Sequence, residues 1–466
     1  MQKIDIKSYI HSEEKLRKAD ENPEANKVFI ETYGCQMNVA DSQTVTAVLL
    51  ENGYSITDSP ESADVIFINT CSIREKAEKT VRNRLQFFNF LKKSKPNLIV
   101  GILGCMAERL KEKLLEEEKV VDIIAGPDAY RTLPNLLKEA ENGRDAVNVL
   151  LSRDENYGDI SPVRKDKHKV SAFVSITRGC DNVCAFCVVP YTRGTERSRG
   201  SETIIREISE IVAEGYKEVT LLGQNVDKYY RKEEDLNFAG LLDYVAAQFP
   251  KIRIRFATSY PQNFTDEVLH TMAKHENICK YIHLPVQSGS SAILEKMRRG
   301  YDREFYLDRI KAIKEILPGC AISTDIITGY CSETDQDHED TLSLMKEVGY
   351  DYAYMFKYSE RPNTLASKKY KDDVPEDIKQ KRLQEIISLQ QELSFKSNNS
   401  DIGKSFEVLA EGYSKKSEDY LFGRNSQNKV IVFPKRNVSP GEHAQVIVTE
   451  CTSATLLGHV LRDKLD

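Results

Sequence analysis

The 466-residue chain reads as an α/β protein of three units: an N-terminal parallel-sheet domain, a partial (βα)6 barrel and a small C-terminal antiparallel β-barrel. Three observations predict this. Apolar runs that each end in a turn recur ahead of helical patterns, three times near the N-terminus and six times further on. Runs this continuous suit strands covered on both faces of a parallel sheet. The tail then changes character, with short apolar runs parted by Gly412, Gly423, Pro434, Pro440-Gly441 and Gly458, the pattern of a small closed β structure.

The first repeat is Val28-Phe29-Ile30-Glu31-Thr32-Tyr33-Gly34-Cys35, the second Val65-Ile66-Phe67-Ile68-Asn69-Thr70-Cys71, and the third Leu98-Ile99-Val100-Gly101-Ile102-Leu103-Gly104-Cys105. Their cysteines lie 36 and 34 residues apart, about one strand-helix unit each. Residues 1–26 read as a loosely docked, charged extension, 27–151 as the first domain and 152–169 as a polar linker. Residues 170–398 form the second domain. Its strands are expected at 172–176, 218–222, 253–256, 281–284, 321–327 and 351–356, with a connecting helix from about Glu376 to Ser397. Six βα units are too few for a closed eight-stranded barrel, so an open one is expected. Residues 402–466 form the tail barrel.

Composition limits the function classes. A content of 40% hydrophobic and 30% charged residues is a globular balance, and no apolar run is long enough to cross a bilayer. The N-terminus lacks the apolar core of an export signal, so a cytoplasmic location is expected. Ten cysteines in such a chain point to metal rather than disulfides. The net charge of −6 argues against a globally basic nucleic-acid binder, so any such surface is local. The tail, with nine Lys/Arg against eight Asp/Glu, is near neutral.

The chemistry sits in Cys180-x3-Cys184-x2-Cys187, a loop that follows a strand. Three thiolates can ligate three irons of a [4Fe-4S] cube and leave the fourth open to the amino and carboxylate groups of S-adenosylmethionine. A zinc site is the alternative. Structural zinc usually takes four ligands, and no fourth is obvious nearby. Cys35, Cys71 and Cys105 each end a strand of one sheet, where ligands gather in open α/β folds. They read either as a second cluster or as buried small hydrophobes. Cys279, Cys320, Cys331 and Cys451 share no spacing and read as packing residues. Polar groups at other strand ends, Gln224, Asn225, Gln287, Ser288 and Asp325, are candidates for cofactor contacts, against a reading as turns and caps. Arg298 is preferred to Arg299 as a carboxylate partner. The basic run Tyr191 to Arg199, with Arg193, Arg197 and Arg199, reads as a flexible loop that touches an RNA backbone, and Arg424 as a further RNA contact. Tyr413, Tyr420, Phe422 and Phe433 are candidates for stacking, with Phe433 equally a core residue.

At these residues the chain resembles the radical S-adenosylmethionine methylthiotransferases, from about Lys27 to the end. The resemblance rests on Thr32-Tyr33-Gly34-Cys35-Gln36-Met37-Asn38, Asn69-Thr70-Cys71-Ser72-Ile73-Arg74, Leu103-Gly104-Cys105-Met106-Ala107 and the Cys180 loop. It continues through Leu284-Pro285-Val286-Gln287-Ser288-Gly289-Ser290 and Lys357-Tyr358-Ser359-Glu360-Arg361-Pro362. Tyr33 to Asn38 and Cys187-Val188-Val189-Pro190-Tyr191-Thr192-Arg193-Gly194 are similar to the branch that acts on tRNA rather than on a ribosomal protein. The resemblance implies two [4Fe-4S] clusters, an auxiliary one on Cys35, Cys71 and Cys105 and a radical one on Cys180, Cys184 and Cys187. It implies a tail of the RNA-binding TRAM type, and methylthiolation at carbon 2 of a prenylated adenosine beside the anticodon. The expected partners are a tRNA anticodon stem-loop and an electron donor such as flavodoxin or ferredoxin, with the chain a monomer. The alternatives are the same reaction on a ribosomal protein and a non-catalytic iron–sulfur RNA-binding protein. One turn departs from the family pattern Gly-Phe-Pro-Gly-Glu-Thr: it reads Gly329-Tyr330-Cys331-Ser332-Glu333-Thr334, so its backbone is expected to differ locally.

Overall fold

A computed structural model describes residues 12–71, 75–111, 113–166 and 168–461. The Ser72-Ile73-Arg74 part of the second cysteine motif, the first eleven residues and the last five lie outside them. Ser12–Asp20 forms a helix. Its Ser12 backbone N–H donates to Glu214 at 2.8 Å, and Leu16 packs on the core of the first domain. This part of the extension is therefore docked rather than loose.

Six parallel strands make the N-terminal sheet. Their order is Ser55–Ile56, Lys27–Tyr33, Val65–Thr70, Ile99–Gly104, Ile123–Ala125 and Ala146–Asn148. Val65–Thr70 and Ile99–Gly104 are buried at every position, as central strands covered on both faces must be. One face packs Val45, Phe67, Leu103, Tyr130 and Leu137; the other packs Ile66, Val81, Leu85, Phe88 and Ile102. The expected polar linker is threaded with buried side chains: Tyr157, Ile160 and Val163 belong to the first of these cores.

The second domain places six strands in two parallel triplets. Ser171–Ser175, Glu218–Leu222 and Arg253–Phe256 form one, and Tyr281–His283, Ala321–Thr328 and Tyr352–Lys357 the other. A parallel bridge between Ile254 and Ile278 joins them into a partial barrel. Its outer face carries the largest core of the molecule, filled by Ile204, Ile208, Leu241, Val245, Leu269 and Ile313 from the surrounding helices. The helix Glu376–Asn399 lies along the last strand, with Ile386 buried and Ser394 donating to the Asp351 carbonyl at 2.8 Å.

The divergent turn keeps a left-handed backbone although its glycine is replaced. Ser332 sits at φ +61°, and its backbone N–H donates to Asp373 at 2.7 Å. Glu333 accepts from the Gly329 backbone at 2.8 Å and pairs with Arg382 at 2.9 Å. Cys331 is buried against Tyr330 and Tyr358 as a packing residue.

Five strands close the tail barrel in the order Ser405–Ser414, Ser417–Arg424, Val430–Pro434, Leu456–Val460 and His443–Cys451. It is mixed rather than antiparallel as expected, because Ile431 and Val432 pair in parallel with Leu456 and Leu457. Closing a five-stranded ring with an odd connection forces one such pair. Phe433 is fully buried in its core, which removes it from the stacking candidates, while Tyr413 and Tyr420 are exposed. The barrel docks under the strand starts of the second domain: Arg253 donates to the Arg424 carbonyl at 2.8 Å and Arg255 to the Asn425 carbonyl at 2.7 Å.

Candidate metal centres and the arginines between them

Two cysteines of the first set, Cys35 and Cys105, leave their strands through a glycine of positive φ. Gly34 has φ +115°, and a Cβ built on it would meet the Cys71 Cβ at 2.4 Å. Gly104, at φ +84°, would place one 2.4 Å from Asn69 Oδ1. Glycine is therefore required at both positions, and the close approach at Gly34 draws the first two strand ends together. The Cys35 thiol is lowered to about 6, chiefly by a hydrogen bond with Cys71, with Arg193 assisting. Burial pushes the Cys105 thiol up, with Arg193 opposing. The three cysteines, far apart in sequence, thus share one end of the sheet.

The second set is held by a short hairpin in which Thr177–Arg178 pairs antiparallel with Arg197–Ser198. A Cβ on Gly179 would lie 2.0 Å from the Thr195 carbonyl. Gly179 donates to Gln224 Oε1 at 2.5 Å and Cys180 to the Gly194 carbonyl at 3.1 Å, which clamps the start of the loop. Further along, Ala185 donates to the Met297 carbonyl at 2.9 Å and accepts from Ala366 at 2.7 Å. Burial raises the Cys180 thiol to about 11 and the Cys187 thiol to about 12, and neighbouring Cys184 adds to both.

The basic loop is neither flexible nor exposed. Arg193, Arg197 and Arg199 are buried, which corrects their expected role as RNA contacts. Arg193 pairs with Asp41 at 2.8 Å, donates to Asn38 at 3.0 Å and reaches the Cys105 sulfur from Nε at 3.2 Å. Arg178 pairs with the other oxygen of Asp41 at 2.7 Å. Arg197 pairs with Asp128 at 2.7 Å and Arg199 with Glu207 at 2.6 Å. Burial pushes the Asp41 carboxyl up, but Arg178 and Arg193 outweigh it and hold it below the usual range. Asp41 and Asp128 belong to the N-terminal domain, so this buried charge network locks the radical-type loop against the first cysteine set. Arg424 is half-exposed and pairs with Glu411 at 3.2 Å.

The cofactor candidates divide. Gln224 braces the cysteine loop through Gly179. Asn225 is buried with its Oδ1 unpartnered. Gln287 holds φ +77°, its backbone bonded to Asp325 and Ile327. Ser288 is spent inside its own turn, with its Oγ near Thr341 and accepting from the Ser290 backbone. Asp325 faces His283 at 3.5 Å. Arg298 is exposed, and its buried neighbour does the contacting. Arg299 donates to the Cys184 sulfur at 3.3 Å and to the Pro285 carbonyl at 2.9 Å, between the rings of Tyr260 and Tyr301. Sequence reasoning had no means of separating the two adjacent arginines, because one residue of phase decides which side of the turn faces the cysteines.

Three profiles match the chain in order: "Uncharacterized protein family UPF0004" at 27–126, "Radical SAM superfamily" at 174–345 and "TRAM domain" at 399–461. The tRNA-2-methylthio-N(6)-dimethylallyladenosine synthase of Amoebophilus asiaticus is 56% identical over 447 residues, 93% of this chain and 92% of that protein. The chain belongs to the tRNA-2-methylthio-N(6)-dimethylallyladenosine synthase family. Its Parabacteroides distasonis member is 52% identical over 99% of this chain and 98% of its own length. The radical S-adenosylmethionine methyltransferase TsrM of Kitasatospora setae shares the fold, with a TM-score of 0.56 at 12% identity over 73% of this chain and 74% of that one.

A synthase of this family calls for S-adenosylmethionine and two [4Fe-4S] clusters, and the residues present fit them. Among the described residues no group of three His, Cys, Asp or Glu is arranged for a single metal ion. Both cysteine sets, however, have a buried guanidinium on a sulfur. Arg193 keeps its Nη1 unpartnered in the interior. Arg299 has no carboxylate at ion-pair distance among the described residues, its acceptors being a sulfur, a phenol and a carbonyl. Buried cations demand a neighbouring anion; Arg299 has none among the described carboxylates and Arg193 shares Asp41 with Arg178, so a thiolate-ligated cluster would supply the missing negative charge at each place.

Proposed function

We infer that the chain methylthiolates carbon 2 of N(6)-dimethylallyladenosine next to the tRNA anticodon. The observation that carries this is Arg193: it follows Cys187 by six residues yet sits on the sulfur of Cys105, so the two cysteine sets face one shared region. Full-length identity above one half with synthases of that name supports the same reading.

Cys180, Cys184 and Cys187 would hold one cluster and Cys35, Cys71 and Cys105 the other; bound there, they supply the one-electron cleavage of S-adenosylmethionine and the sulfur to be inserted. The chain's own part is positioning. Gly34 and Gly104 let the strand ends approach, and Gly179 and Gln224 fix the entry to the radical loop. Arg193 and Arg299 neutralise thiolate charge in a dry setting, where it would otherwise be costly. Asn225, Gln287 and Asp325 line the strand ends on which the cofactor's ribose and carboxylate would be read. Carbon 2 of adenine carries no acidic proton, so acid–base chemistry alone does not open that bond, and the base must leave its stack to be reached. A one-electron carrier of the flavodoxin or ferredoxin class is the expected donor. A monomer suffices, since one chain carries both sets. A reducing, cytoplasmic setting suits ten free cysteines, and no described helix is long and apolar enough to cross a membrane.

Anaerobically reconstituted protein tests this. With prenylated tRNA, S-adenosylmethionine and a reductant it should form 5′-deoxyadenosine and a nucleoside heavier by one methylthio group. Product on ribosomal protein alone would reassign the substrate. Absence of 5′-deoxyadenosine would favour a binding protein.

A further inference from the structure

A cavity of about 290 Å³ opens between the last barrel strand and the tail barrel, and no cysteine lines it. Its wall from the radical domain is aromatic: Tyr281, Tyr352 and Tyr354. Tyr352 and Tyr354 are 48% and 41% exposed, unusual for aromatic neighbours on a barrel strand. The strand period explains this. In Tyr352–Lys357 the alternate residue Ala353 is buried against the helix side, so Tyr352, Tyr354 and Phe356 share the opposite face. This strand is also the end member of its triplet, so the aromatic row stands at the open side of the partial barrel. The rings of Tyr352 and Tyr354 meet edge-on at 5.0 Å, and both line the cavity. The opposite wall, from the tail barrel, is polar: Arg424, Asn428 and Lys429. Lys429 is fixed by Asp401 at 2.7 Å and Asp351 at 3.4 Å, so this wall is built in place.

We propose that this cavity takes one unstacked nucleobase of the single-stranded anticodon loop, stacked on Tyr352 and Tyr354 and met at its edge by Asn428 and at its phosphate by Arg424. The proposal rests on the functional reading above and deepens it. Aromatic faces accept any base, while amide and guanidinium groups contact edges and backbone. The volume, near the lower end for a ligand pocket, admits a base and excludes a duplex. One wall residue connects the cavity to a cofactor candidate: Tyr354 stands opposite Asp325 in the strand ladder and packs edge-on against His283, which itself faces Asp325.

The experiment uses the reconstituted full chain and prenylated anticodon stem-loop RNA carrying 2-aminopurine at one loop position at a time. One loop position other than the target should lose fluorescence on binding. Tyr354→Leu and Tyr352→Leu should abolish that quenching and weaken binding about tenfold, while Tyr354→Phe keeps both. An abasic residue at the responding position should weaken wild-type binding to the same extent and make the leucine changes nearly silent. This last comparison is made on leucine variants that retain iron, and the abasic loop with the wild-type chain tests the site without any substitution. Unchanged affinity and quenching in iron-replete leucine variants, or equal losses with intact and abasic loops, would overturn the proposal. Methylthiolation by the wild-type chain is scored separately, so loss of this site and loss of the functional reading give different results.

Discussion

Arg193 Nε donates to the sulfur of Cys105 at 3.2 Å, while its Nη2 pairs with Asp41 at 2.8 Å. One side chain of the radical domain thereby holds a cysteine and a buried carboxylate of the N-terminal domain. The relationship ties the spacing of the two metal centres to an ion pair, and it makes the first prediction.

Arg193→Met removes the donor to Cys105 and leaves Asp41 with Arg178 as its remaining cation. Breaking a buried pair in this way costs about 3–5 kcal/mol, seen as a lower unfolding midpoint. Fewer hydrogen bonds to cluster sulfurs move the reduction potential down, so a redox titration followed by electron paramagnetic resonance should place the auxiliary signal at a more negative potential. Formation of 5′-deoxyadenosine should persist while methylthiolation falls. Arg193→Lys should restore stability without restoring the potential.

Arg299 and Arg298 separate cleanly. Arg299→Leu removes the bond to the Cys184 sulfur and the stack between Tyr260 and Tyr301. Cleavage of S-adenosylmethionine should drop at least tenfold. Arg298→Ala, at an exposed position, should leave that rate within about twofold and stability within about 0.5 kcal/mol. Equal effects of the two changes would refute the contact assigned to Arg299.

Gly34→Ala drives a Cβ to within 2.4 Å of the Cys71 Cβ at φ +115°. The strand ends must part, and the auxiliary cluster is lost first. Iron and sulfide analysis after reconstitution should fall to about half of wild type, with the radical cluster's signal retained. Full iron content would contradict convergence at this turn.

Asp227 gives a pH dependence. Burial raises its carboxyl to about 7, although it accepts from the Tyr260 backbone at 2.7 Å. A carboxyl with a raised folded value binds its proton more tightly folded than unfolded. The folded state therefore loses stability as pH climbs from about 4 toward 7, and the loss is complete above 7. Asp227→Asn lacks this slope. Its advantage over wild type should grow by roughly 2–3 kcal/mol between pH 5 and pH 8, read from urea midpoints at the two values.

Much of this protein is legible along the chain, because strands and metal ligands are local signals. The runs ending at Cys35, Cys71 and Cys105 announce a parallel sheet with cysteines at one end, since period and turn chemistry act over a few residues. The spacing of Cys180, Cys184 and Cys187 announces a cluster loop for the same reason. The arginines are another matter. Arg193, Arg197 and Arg199 read as a flexible basic loop because Asp41 and Asp128, the partners of the first two, are remote in sequence and in another domain, while Glu207, eight residues past Arg199, reads as one more charge on a helix. Only the docking of the domains supplies Asp41 and Asp128, and burial then turns surface charge into a structural bolt. The choice between Arg298 and Arg299 depends on which side of a turn faces Cys184. The parallel pair in the tail barrel depends on ring closure, and the aromatic cavity on two domains meeting. The sequence by itself determined which cysteines are the candidates to bind metal; the tertiary structure decided which charges are buried to hold the two cysteine sets together, because burial is a property of the assembled fold and not of any segment.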